Sequence, residues 1–240
     1  MYHLKPRCTV KQCLADYIRS HADAYGHLDG PKPARAHKKH KPAPAARQQK
    51  RTSASLANVP RWARVAFAAR CARQVYPLLA EHWPGIPAKR SRAVRLAIDL
   101  AEQSAAAGRA VKGLKDAVMH ALITAGSALR GAAERAGDKS APPDAYSGTI
   151  ASIVARVAAQ AAESAASDGD DALEAASEAW SFAANAAASA EKENLAEQLK
   201  EDFAKLYRAA ARGKWTDRTK IPSEVWSGEQ SFTQVSGGKR

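Results

Sequence analysis

The chain has 240 residues and a formal net charge of +13, a size that suits one domain with appendages. No apolar run approaches the length of a bilayer-spanning helix, and the first ten residues are too polar for a signal peptide. Three cysteines form an odd and sparse set, which argues against a disulfide framework and for a reducing, cytoplasmic setting.

Residues 9–25 read as a short helix. Thr9 and Gln12 form a T-x-x-Q capping box, Gly26 is placed to end it, and Val10, Leu14, Tyr17, Ile18, His21 and Tyr25 recur at helical spacing. Residues 30–56 then lose all periodicity. Prolines, cations and small residues without a core former make this stretch a disordered basic linker. Residues 1–57 are therefore expected to form a basic arm that stands apart from the folded part.

A helical body is expected over 58–213. Alanine is the best helix former, and 19 of the chain's 56 alanines fall between Ala151 and Lys200. The first helix, with Pro60 in its opening turn, is apolar on two sides. Trp62, Val65, Ala69, Ala72, Tyr76, Leu79 and Trp83 trace one face, and Phe67, Cys71, Val75 and Leu78 trace the other. It should be central, bent at Pro77 and stopped by Pro84, Gly85 and Pro87.

The second helix covers about 88–107, with Val94, Ala97, Leu100, Ala101 and Ser104 as its buried stripe and Gly108 as a C-cap. The third runs to about Ala136 on Val111, Leu114, Val118, Leu122, Ala125 and Leu129, weakened by Gly113, Gly126 and Gly131 to the point of breaking in two. After the Pro142–Pro143 loop, the fourth helix carries Tyr146, Ile150, Ile153, Val157 and Ala161. The fifth opens on a box-like pair, Asp171 and Glu174, and continues with Leu173, Ala176, Trp180, Ala183 and Ala187. The sixth uses Leu195, Leu199, Phe203, Leu206 and Ala210 and ends at Gly213. The fold class is all-α: an alanine-rich bundle or array of about six antiparallel helices, with a disordered basic N-terminal arm. Its structural anchors are Trp62, Tyr76, Pro77, Leu79, Trp83, Trp180 and Phe203, because alanine-rich helices need a few large residues to pack around. Residues 214–240 form an extended tail whose Trp215, Trp226 and Phe232 either dock back or meet a partner.

Charge divides the chain. Residues 61–137 hold 13 Lys/Arg against 5 Asp/Glu, and residues 138–212 hold 7 against 13. The two halves are expected to pair within the bundle or across a homodimer. In the arm, Lys32, Arg35, Lys38, Lys39, Lys41, Arg47, Lys50 and Arg51 suit salt-dependent neutralisation of nucleic-acid phosphates. They serve equally well as a solvated spacer, since no aromatic residue is interleaved to stack on bases.

No catalytic or metal set stands out. Cys8, Cys13, His21 and His27 have only seven residues between the pairs, where a common zinc finger needs about twelve. Asp168, Asp170 and Asp171 do not follow a calcium loop and are explained by placement at a helix start. Asp116 and His120 lie one helical turn apart, and Cys71 sits in an apolar helix, without the companions an active site requires. No cofactor is expected.

From Trp62 to Glu102 the chain resembles immunity proteins of bacterial toxin systems, which are small alanine-rich helical proteins. The matching residues are Trp62, Cys71, Ala72, Val75, Pro77, Leu78 and Pro84, and Trp215-Thr216-Asp217 fits uncharacterised bacterial alanine-rich proteins. The resemblance implies a non-enzymatic, protein-binding role with a partner encoded nearby. The alternative function is nucleic-acid association through the arm, with no membrane partner in either case.

Overall fold

The computed structural model describes residues 56–137 and 145–221. The short helix expected over 9–25, the arm cations, the paired Cys and His residues, and Trp226 and Phe232 lie outside the described residues. Among the described residues every regular element is a helix, and no helix is long and apolar enough to cross a membrane. Seven helices follow in order: α1 (Arg61–Val75), α2 (Pro77–His82), α3 (Ala88–Ala107), α4 (Leu114–Gly137), α5 (Ala145–Ala166), α6 (Gly169–Ser189) and α7 (Glu193–Arg212). Six are long, as the periodicity predicts, and α2 is the continuation of the first beyond Pro77.

That interruption has a simple cause. Pro77 has no N–H to give, so the backbone ladder of α1 closes with the Tyr76 N–H on the Ala72 carbonyl and restarts in α2. Leu56, two residues before the expected boundary, is already fully buried, and its carbonyl accepts from the Val59 N–H. Pro60 sits at the N-cap rather than inside the first turn.

α1 is central. Both of its predicted faces are buried, and it packs against α3, α5, α6 and α7. α5 is the second central helix, buried on nearly every side, with its most extensive packing against α4 and α6. Phe67 of α1 is wholly buried where three rings meet. Its ring lies 4.8 Å from Trp180 of α6 and 5.1 Å from Phe203 of α7, which are themselves 4.8 Å apart. These are the tilted and edge-on arrangements that aromatic quadrupoles prefer. Of the expected anchors, Trp62 and Leu79 are buried, and Tyr76, Trp83, Trp180 and Phe203 are partly buried against the core. Pro77 is exposed and acts only on the backbone.

Three details differ from the sequence reading. α4 is a single unbroken helix through Gly126 and Gly131, because its packed face offsets the propensity they lose; it starts only at Leu114, after Gly113 in the left-handed region at φ 92°. Leu129, expected on the buried stripe of α4, is exposed, while Leu114, Val118 and Ala125 of that stripe are buried together with Ala117, Ala121 and Ala128. α6 begins at Gly169 behind an Asp168 N-cap that makes no side-chain capping bond, not at an Asp171–Glu174 box. Gly108 does cap α3 as expected, left-handed at φ 65°.

The tail is not extended from its first residue. α7 ends at Arg212 with Gly213 as its C-cap, and Lys214 takes the left-handed turn at φ 49°. The next residues return to the bundle: the Asp217 carboxylate accepts from the free Arg61 N–H at 2.6 Å, and Ile221 is buried and donates to the Ala105 carbonyl. The strap of residues 214–221 thereby links α7 to α1 and α3. The basic and acidic halves also meet within the chain, through Arg61–Asp168 at 2.5 Å on the surface and Arg70–Asp202 at 3.0 Å. Asp202 is buried and also accepts from Gln74, which keeps its charge satisfied.

Candidate interaction surface

A soluble helix normally turns its large apolar residues inward, so those left outside deserve inspection. Leu96 of α3 is 48% exposed, and Met119 and Ile123 of α4 are 44% and 42% exposed. Met119 and Ile123 are one turn apart, and Gly126 and Arg130 continue the same outward line at helical spacing. No neighbour lies within 4 Å of the space a side chain at Gly126 would fill, so the backbone there is open.

A separate shallow groove of about 500 Å³ is lined by α3 residues, Leu96 among them, and by His120 of α4. Its other walls are cationic. Lys89, Arg90, Arg92 and Arg95 line it, against a single carboxylate, Asp99. Asp99 is already engaged by Arg73 at 2.6 Å. Arg73 is held as well by Glu102, whose hydrogen bonds raise its pKa above the ordinary arginine value; burial opposes the rise and Asp99 adds to it. Lys89, Arg90 and Arg92 form no ion pair among the described residues. The groove thus sets exposed Leu96 among a surplus of unpaired positive charge, and α4 adds Met119 and Ile123 as exposed apolar residues.

The residues weighed earlier for catalysis are not brought together. His120 and Asp116 are both exposed, and no hydrogen bond joins them. Cys71 is fully buried in α1, where desolvation pushes its thiol pKa far up and keeps it neutral. Asp168, Asp170 and Asp171 are exposed at the start of α6, with Asp168 spent on Arg61. Among the described residues no group of three or more His, Cys, Asp or Glu side chains is placed to hold a metal ion. The resemblance residues Trp62, Cys71, Ala72, Val75 and Leu78 are all core, and Pro77 and Pro84 are exposed breaks. They define the fold of α1 and α2 rather than a surface.

Sequence reasoning did not single out Leu96, Met119 or Ile123. The signal was present: each is a large apolar residue that falls off the buried stripe of its own helix. No family model matches the chain, and no curated protein or solved structure matches it.

Proposed function

We propose that this chain is a non-enzymatic protein-interaction module, immunity-like in kind, which docks an acidic amphipathic helix of another protein on the α3–α4 face. The observation that carries the reading is the groove in which exposed Leu96 lies with Lys89, Arg90, Arg92 and Arg95, next to an α4 that leaves Met119 and Ile123 exposed. An amphipathic helix lays its apolar residues into such a groove, and carboxylates along its flank meet the cations. The charge surplus selects an acidic occupant and repels a basic one. The resemblance of Trp62 to Glu102 to immunity proteins supports the same class of function, with the partner encoded nearby.

The test is co-purification with acidic proteins encoded by adjacent genes, comparing the native chain with a Leu96→Glu/Ile123→Glu variant. Both positions are exposed, so the variant should keep its helical circular dichroism and unfold within about 0.5 kcal/mol of the native chain. It should lose the complex, since interface anchors commonly carry about 2 kcal/mol or more each. A complex indifferent to the double change would remove the α3–α4 face from the proposal. If no adjacent protein binds, and the native chain instead shifts DNA or RNA in a salt-dependent way that deletion of residues 1–57 abolishes, the arm is the functional part and the nucleic-acid reading replaces this one.

A further inference from the structure

A second cavity lies away from α3 and α4, between the first turn of α1 and the strap that follows α7. It measures about 560 Å³, and its lining includes Asn58, Arg64, Tyr207, Lys214, Trp215 and Asp217. The two arginines of this first turn both bury an Nε without a partner, but only one has its guanidinium otherwise engaged. Arg61 is committed: its guanidinium donates to the Ser167 carbonyl at 2.7 Å, pairs with Asp168 and lies 4.5 Å over the Trp62 ring. The Arg64 side chain is half-buried with no hydrogen bond or salt bridge among the described residues, and its Nε is fully buried without a partner. Burial lowers its pKa from the ordinary arginine value; Asp217 and Asp170 oppose this and Arg61 adds to it.

A guanidinium left in this condition is costly, because its buried Nε–H has lost water and gained nothing, and its remaining donors have no acceptor in the protein. The surrounding groups do not repair it. Asp217 lines the same cavity, but one oxygen of its carboxylate is taken by the Arg61 N–H. The last carbonyls of α7 are occupied too: Ala209, Ala210 and Ala211 accept from the N–H groups of Gly213, Trp215 and Lys214. The unmet need of the cavity is therefore an acceptor for Arg64. Lys214 brings a second cation to the same wall, and Trp215 and Tyr207 bring flat apolar surfaces.

We propose that this cleft binds an oxyanion carried on a flat ring, with Arg64 donating to the anion, Lys214 adding charge, and Trp215 and Tyr207 flanking the ring. A guanidinium presents a planar fork of donors that two oxygens of a carboxylate or phosphate can accept together. The volume is within the usual range of small-molecule sites and exceeds what a bare ion fills. Both carboxylate and phosphate share the chemistry that Arg64 reads, and the probes separate them.

The experiment is calorimetric titration of the full chain with phenyl phosphate, benzoate, inorganic phosphate and phenol. Saturable one-to-one binding of phenyl phosphate or benzoate is expected, at least tenfold tighter than inorganic phosphate or phenol; whichever of the two binds better names the anion class. Arg64→Gln should weaken that binding at least tenfold, and Arg64→Lys should restore part of it. Because Arg64 has no partner to lose, the unliganded Arg64→Gln protein should melt at or above the native temperature. Absence of saturable binding by both ring anions overturns the proposal, as does equal binding by Arg64→Gln. A marked fall in the melting temperature of that variant overturns it as well, since it would give Arg64 a structural role in the empty protein.

Discussion

The junction of α1, α6 and α7 and the junction of α4 and α5 solve the same packing problem with opposite materials. At the first, Phe67, Trp180 and Phe203 fill the space between helices with rings 4.8 to 5.1 Å apart. At the second, Ala117, Ala121, Ala125 and Ala128 of α4 and the many alanines of α5 are buried. Gly148 of α5 comes so near α4 that a methyl group added there would overlap Ala132 and lie 2.9 Å from the Ala128 carbonyl oxygen. A ring removes much apolar area from water per residue, so a few residues suffice and the helices can stand apart. Alanine removes little, so the helices must come close and make many small contacts along their length. The extent of packing follows this division: α4 and α5 share the longest seam of the bundle, while α7 touches α1 and α6 sparsely.

The two junctions should therefore fail in opposite ways, one when atoms are removed and one when they are added. Phe67→Ala carries the largest expected effect. Phe67 is wholly buried and belongs to two of the three ring pairs, and truncating such a residue costs about 3–5 kcal/mol. Urea denaturation would read it as a lower midpoint with an unchanged slope. A loss under about 1 kcal/mol would mean that the rings are not what holds α6 and α7 to α1.

Gly148→Ala tests the other junction from the opposite direction. Alanine has the higher intrinsic helix propensity, by about 1 kcal/mol, so on an isolated helix this change would stabilise. Here the added methyl meets the Ala132 side chain and the Ala128 carbonyl, neither of which can swing away. Forcing extra volume into a packed seam costs about 1–3 kcal/mol, so the propensity gain is cancelled or outweighed and the net change should be a destabilisation of up to about 2 kcal/mol. Thermal unfolding of the variant beside the native chain decides it, and a stabilised variant would show that α4 and α5 have room to separate.

The same contrast explains how much of the molecule was legible in its sequence. Helix number and order were readable because alanine content and 3.6-residue periodicity act locally. So was the central place of α1, whose two apolar faces require partners on both sides. The α4 stripe was misjudged at Leu129 for a physical reason: weighting large apolar residues as the buried ones fails where close approach excludes them and alanine takes the contact. Phe67 was visible on the second face of α1, but its meeting with Trp180 and Phe203 depends on residues more than a hundred positions away. The exposed trio Leu96, Met119 and Ile123 was legible only by subtraction, once the true stripes were known. Arg64 gave no signal at all, since nothing local distinguishes it from Arg61 or Arg70. Their partners, or the lack of them, come from α6, α7 and the strap.

The sparse attachment of α7 gives the smallest of these effects its meaning. The Leu199 and Leu206 side chains and the Phe203 ring hold α7 from within, and the strap holds it from its far end. Asp217 is the polar fastening of that strap. Its carboxylate accepts from the Arg61 N–H at 2.6 Å, where Pro60 at the N-cap position has no side chain able to do so. This is an N-cap bond supplied from 156 residues away, and losing a capping acceptor costs about 1 kcal/mol. Asp217→Ala should accordingly lower the melting temperature by about 2–4 °C, the usual consequence of such a loss in a chain of this size. It should do so with a local signature: hydrogen exchange should speed up at the first turn of α1 and through the strap, while the α4–α5 seam stays protected. Uniform acceleration across all helices would mean that the strap is part of the global fold. No acceleration at either end would mean that the bond merely decorates a strap held by Ile221 and Trp215. The local signature would place the weakest cooperative unit of the bundle at the strap and the first turn of α1, and leave the alanine seam as its more durable part.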